Sequence, residues 1–132
     1  MTETAATWCD RFRAATESDP VIQSMARFYT CTFLLDMGEV SILVRMDDGQ
    51  VREIVPDPPP LTAYQFALRA SAETWRQFAE KNPPPFFHGF LAAATHHDLR
   101  IEGDVTVMMQ NLRNFTQQLE LLREVGVPLG EA

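Results

Sequence analysis

The sequence predicts an α+β fold in which a largely antiparallel five-stranded sheet carries helices packed on one face. Three observations lead there. Apolar residues recur at helical spacing toward both ends of the chain, they alternate strictly in the middle, and a proline run separates a three-strand meander from a fourth strand that must cross over. With 132 residues, 45% hydrophobic and 22% charged, the composition suits one core, which should bury about 70% of the surface the unfolded chain exposes.

Trp8, Phe12 and Ala15 recur at helical spacing, and Asp19-Pro20 then supplies an N-cap and a first-turn proline for a short second helix with Ile22 and Met25 on its apolar face. From Phe28 the period becomes two. Phe28 to Asp36, rich in aromatic and β-branched residues, predicts one strand. Val40, Ile42, Val44 and Met46, alternating with Ser41, Leu43 and Arg45, predict a second. Asp48-Gly49 readily takes the positive φ values of a tight hairpin, which places a third strand over Val51 to Val55.

Pro56-Asp57-Pro58-Pro59-Pro60 ends the meander, because proline cannot donate ladder hydrogen bonds and stiffens the connector. Tyr64 to Ala70 alternates again, with Tyr64, Phe66, Leu68 and Ala70 on one face of a fourth strand. Ser71 caps a helix that carries Glu73 in its first turn and Trp75, Phe78 and Ala79 on one stripe, until Asn82-Pro83-Pro84-Pro85 breaks it. Phe86, Phe87, Phe90, Leu91 and Ala94 mark a further helix, and Leu99 to Glu102 a short fifth strand. Gly103-Asp104 turns into a final helix with a long stripe of Val105, Met108, Met109, Leu112, Phe115, Leu119 and Leu122, stopped by Gly126 and Pro128.

Several function classes lose support on the same grounds. The longest apolar run, Phe90 to Ala94, has five residues against the roughly 18 a membrane span needs. The acidic start at Met1-Thr2-Glu3-Thr4 lacks the basic and apolar regions of a secretory signal, so the cytoplasm is the expected compartment. A net charge of -7 with no clustered basic residues argues against nucleic acid as a partner, and acidic surroundings oppose docking of Trp8 and Phe12 on anionic lipid. Cys9 and Cys31 fit no metal or redox spacing and sit in apolar-patterned segments, where reduced thiols behave as small hydrophobes. His88, His96 and His97 lack the i, i+4 pairing of a zinc-protease helix, which leaves no metal site to expect. There is no nucleophile elbow, no phosphate loop and no Cys beside a plausible His, so neither a cofactor nor catalysis is expected.

The order of these elements carries a resemblance. Tyr64 through Trp75 looks like the strand running into a Ser-capped, Trp-bearing helix of the SCP2 sterol-carrier domain family. Leu99-Arg100-Ile101-Glu102-Gly103-Asp104 is similar to that family's Leu-x-Ile-x-Gly-Asp/Asn element, and Asp48-Gly49 stands where the family turns between its second and third strands. The resemblance spans residues 28–125, between N-terminal helices at 1–27 and a tail at 126–132, and implies a single SCP2-like domain over 1–132. The chain departs from the pattern at Glu80-Lys81-Asn82 and at His97-Asp98, where the family often has glycine.

Phe66, Leu68, Trp75, Phe87, Phe90, Met108, Met109, Leu112 and Phe115 are core candidates by their periodicity. The resemblance implies a second role for them, lining a lipid cavity between sheet and helices, where flexible methionines adapt to varied ligand shapes. It thus implies a non-catalytic carrier of a small apolar ligand: a fatty acid, acyl-CoA, sterol-like or isoprenoid lipid. Two alternatives stand beside it, an accessory subunit in isoprenoid-quinone or lipid metabolism and a ligand-free, dimerising structural module.

Overall fold

The computed structural model describes residues 5–80 and 90–129. The proline break at 82–85 and the start of the following helix at Phe86 and Phe87 lie outside the described residues.

Helix α1 spans Ala5–Ser18 and α2 spans Pro20–Ser24. The Asp19 carboxylate caps α2 by accepting from the Val21 and Ile22 amides, and Pro20 takes the first-turn position whose missing N–H costs nothing. Strand β1 covers Cys31–Asp36, β2 Ser41–Asp47, β3 Gln50–Pro56 and β4 Phe66–Arg69. Helix α3 (Ala72–Phe78) follows Ser71, whose hydroxyl accepts from the Thr74 amide at 3.3 Å. Then come α4 (Phe90–His96), β5 (Arg100–Gly103), α5 (Val105–Gln110), α6 (Leu112–Glu120) and α7 (Leu122–Val125).

The fourth strand begins at Phe66 rather than Tyr64, and Tyr64 is exposed rather than buried beside Phe66. Two other elements differ from the sequence pattern for physical reasons. The first strand begins at Cys31 rather than Phe28, because the Phe28 and Tyr29 amides donate to the Met25 and Ala26 carbonyls and hold Ala26–Phe28 in a 3₁₀ turn. The long C-terminal helix is three segments meeting at Asn111 and Leu121. At Asn111 the side-chain amide donates to the Val107 carbonyl while its oxygen accepts from Thr30, a competition with backbone bonding that bends helices.

The sheet order is β3-β2-β1-β4-β5. Three of the four pairings are antiparallel; β1 and β4 run parallel, with Phe33 opposite Phe66 and Leu35 opposite Leu68. A parallel neighbour requires a crossover, which the proline segment provides. Phe33, Leu35, Ile42, Val44, Phe66 and Leu68 thereby face the helices and are fully buried. Trp8 and Phe12 stack at 4.9 Å on the buried side of α1, and the Trp8 indole N–H donates to the Gly126 carbonyl at 2.7 Å.

One polar network crosses this core. Tyr29 donates its hydroxyl proton to the Gln118 side-chain oxygen, Gln118 donates to Thr16 Oγ1 at 3.1 Å, and Thr16 donates to the Phe12 carbonyl at 2.9 Å. All three side chains are wholly buried, so the network ties α1 and α6 to the approach to β1 without leaving these groups unpaired. Burial also pushes the Tyr29 hydroxyl well above its ordinary pKa.

Candidate functional site

The inner wall predicted to hold a ligand assembles around Phe115. Its ring meets Phe33 at 4.9 Å, Phe66 at 5.1 Å and Phe90 at 5.2 Å, all edge-on, and Phe33 stacks on Phe66 at 5.6 Å. Edge-to-face contact puts positive ring edges against negative faces, so the four rings form a specific packing rather than a loose apolar lining. Phe66, Leu68, Trp75, Phe90, Met108 and Phe115 are all buried, and Leu112 is half-buried against the same core. Phe87 lies outside the described residues. Trp75 anchors α3 by donating its indole N–H to the Asp36 carbonyl at 2.8 Å.

Met109 takes a different position from Met108. The predicted stripe on this helix is wider than one buried face: Met108, Phe115, Leu119 and Leu122 point inward, whereas Met109 lies about 100° farther round and Val105 shares its side. Met109 is 51% and Val105 46% exposed.

Clefts exist elsewhere. One, of about 660 Å³, is polar and runs past Asp36, Arg69, Ser71, His97 and Asp98. There the Asp98 carboxylate accepts from the Ser71 amide at 3.2 Å and from the Thr74 hydroxyl; the Thr74 bond, foremost, holds its pKa below the ordinary value. Another, of about 310 Å³, lies between Met25, Phe28, Arg113 and Asn114. A third, of about 410 Å³, sits on the sheet face turned away from the helices, between Leu34 and Leu43 below and Pro58–Leu61 above. None of these three is lined by the nine predicted residues.

That outer face was not legible as a site from alternation alone. Val55, Leu43, Leu34 and Ala67 pair across four strands in one apolar row, and Leu34, Leu43 and Ala67 are buried as a cluster separate from the main core. The signal for it was the unbroken Phe33-Leu34-Leu35 run, since a strand apolar at consecutive positions is covered on both faces.

Chemistry is sparse. Among the described residues no group of three or more His, Cys, Asp or Glu could hold a metal ion. Cys9 and Cys31 are free and buried, and desolvation pushes their thiols up to about 11 and about 12, away from the thiolate form a nucleophile needs. No helix among the described residues is long and apolar enough to cross a membrane.

No family model and no curated protein matches the chain. Solved structures do. The crystal structure of sterol carrier protein 2 superposes with a TM-score of 0.71 at 14% identity, covering 91% of this chain and 96% of that one. The chain has an SCP2-like fold. The conserved hypothetical protein TT1886 from Thermus thermophilus, a suggested sterol carrier protein, gives 0.70 at 16% identity over 100% of this chain and 94% of its own. A structure described as UbiJ-SCP2, a ubiquinone synthesis protein, gives 0.59 at 13% identity over 92% and 93%. The SCP2-like fold explains why the elements from β1 to α5 follow the order the motifs implied. Gly103, the glycine of the Leu-x-Ile-x-Gly-Asp element, has φ +91°, and a Cβ there would come within 2.7 Å of the Gln65 carbonyl oxygen. Asp104 caps α5 by accepting from Val107, so both matching residues serve the turn into the helix.

Proposed function

We propose that this chain is a non-catalytic lipid-binding domain, a single domain over residues 1–132 that acts in the cytoplasm and keeps a fatty acyl, sterol-like or isoprenoid ligand out of water. The observation that carries the reading is the match to sterol carrier protein 2 along nearly the whole of both chains. The ligand's seat in this reading is the inner wall of Phe66, Leu68, Phe90, Met108 and Phe115, with Trp75 and Leu112 at its margin. Because the four phenylalanine rings pack against one another, the ligand must part them, and its own methylenes, about 0.8 kcal/mol each when buried, must make up for the ring packing it displaces. Chain length should therefore set affinity. Micromolar binding, roughly 8 kcal/mol, needs on the order of ten buried methylenes before the cost of capture is met.

The test is native mass spectrometry of freshly purified protein followed by organic extraction, with fluorescent fatty-acid titration alongside. A lipid at one per chain and a saturable, competable signal support the carrier. An empty homodimer with no saturable binding across acyl, sterol and isoprenoid classes would replace it with the ligand-free dimerising module. The likeness to the UbiJ-SCP2 structure favours a second reading, presentation of an isoprenoid intermediate to a separate enzyme of quinone or lipid metabolism. A stable complex with such an enzyme, dependent on bound isoprenoid, would distinguish it.

A further inference from the structure

The outer sheet face carries a feature that the inner wall does not account for. The segment from Asp57 to Tyr64 crosses the apolar row of Leu43 and Leu34 as a strap. It is fastened at one end by Asp57, whose amide donates to the Ser41 carbonyl at 2.6 Å and whose carboxylate accepts from the Ser41 amide at 3.1 Å. At the other end Gln65 donates to the Thr32 carbonyl and accepts from the Thr32 amide, both at 2.8 Å. Between these fastenings Thr62 donates to the Pro59 carbonyl within the strap, and Tyr64 meets Arg69. Beneath lies the cleft of about 410 Å³, within the roughly 300–1,000 Å³ range of small-molecule sites.

Leu61, at the crest of the strap, is completely exposed although an apolar cleft lies beside it, and its φ of +69° is a conformation that a residue with a Cβ rarely holds. At the cleft's mouth the Tyr64 hydroxyl accepts from Arg69 at 2.9 Å, which leaves its own proton to donate. Arg69 is already engaged, with Asp36 at 2.9 Å and Glu102 at 3.0 Å, and Arg100 lies 4.0 Å from Glu102. Among the described residues, Asp36, Asp57 and Glu102 outnumber the two guanidiniums of Arg69 and Arg100 around the cleft and its ion pairs, so neither guanidinium is left over for an acid.

We infer that the strap cleft is a lipid seat distinct from the inner wall, selective for an apolar chain with a neutral hydrogen-bond-accepting head such as an alcohol, ketone or ester. The chain lies along Leu34 and Leu43 under the prolines, the head accepts from Tyr64, and Leu61 turns down over the chain out of its left-handed conformation. The inference rests on the lipid-binding reading for the ligand's apolar part and adds a location and a head-group class to it.

The experiment uses two photoreactive diazirine probes of equal length, one of dodecan-1-ol and one of dodecanoate, on the full chain, with peptide mapping of the crosslinks. The expected result is saturable labelling of residues 57–64 and of β1 and β2 by the alcohol probe, with unlabelled dodecan-1-ol competing at least tenfold better than dodecanoate. Leu61→Gly, a change at an exposed position whose φ suits glycine, should weaken the alcohol about tenfold while leaving the fold intact. Labelling confined to α5 and α6 would overturn the strap seat and leave the carrier reading standing. Equal competition by dodecanoate would overturn the head-group selectivity, and no saturable labelling by either probe would overturn both readings.

Discussion

Replacing Phe115 with Ala removes the ring at the centre of the four-phenylalanine cluster, a side chain with no exposed surface and three edge-on aromatic neighbours within 5.2 Å. Deleting a buried Phe costs about 3–5 kcal/mol from lost transfer and the residual cavity, and the three aromatic contacts, each worth about 0.5–1.5 kcal/mol beyond area, push this site to the upper part of that range. A loss of about 4 kcal/mol at an m-value of about 2 kcal/mol/M lowers the urea midpoint by about 2 M, and the melting temperature by roughly 15 °C. Because a domain of this size has only about 5–15 kcal/mol in total, Phe115→Leu, expected to cost about 1–2 kcal/mol, serves as the milder companion. Urea unfolding of delipidated protein, followed by Trp8 and Trp75 fluorescence, measures both. A loss below about 1.5 kcal/mol for the alanine variant would refute the packed-core reasoning: it would mean the rings separate at little cost and the inter-layer space is soft.

Met109→Trp, on the exposed side of α5, should change stability by less than about 0.5 kcal/mol and leave fluorescent-lipid capacity unaltered; reduced capacity would show that Met109 turns inward when ligand binds. Gly103→Ala should cost about 1–3 kcal/mol by denaturant unfolding, since its φ of +91° and the Gln65 carbonyl both exclude a Cβ. Cys31 keeps its proton when folded up to about pH 12 but ionises from about pH 9 when unfolded, so the unfolded state binds fewer protons and stability falls as pH rises through that window. Cys31→Ala should flatten the slope by up to about 1.4 kcal/mol per pH unit between pH 9 and 11, and an unchanged slope would place its thiol in water. For Asp98 the sign is opposite: its lowered pKa supplies stability above the ordinary value of 3.8 that is lost as pH falls through the folded value. Asp98→Asn should therefore show a shallower acid limb in thermal melts scanned from pH 5 to pH 2.

The strands were legible because alternation and turn chemistry are local. Val40 to Met46 could face a core only one way, and Asp48-Gly49 marked the hairpin turn, though not the register shift between Arg45 and Met46. The inner wall was legible as far as periodicity reaches: Phe66, Leu68, Met108 and Phe115 repeat at the spacing of their elements. Periodicity cannot set the width of a buried stripe, which is why Met108 and Met109 were inseparable in the sequence and part in the structure. Nor could it foresee Gln118, a residue usually solvated, buried as acceptor to Tyr29 from 89 positions away. The strap cleft was hidden for a related reason, since prolines that end a strand do not say which sheet face they then cover.

The hydrogen bond from Trp8 to Gly126 joins residues 118 apart in the chain. At ribosomal rates of roughly 5–20 residues per second, about 6–24 s separate the synthesis of one partner from that of the other. For all of that interval the apolar side of α1, with its stacked Trp8 and Phe12, has no α7 to close over it, even after the meander it also rests on has been made. A nascent chain thus carries an aromatic pair not yet closed over by α7 until residue 126 has been made, and holdase chaperones that grip exposed aromatic segments should meet this protein at α1.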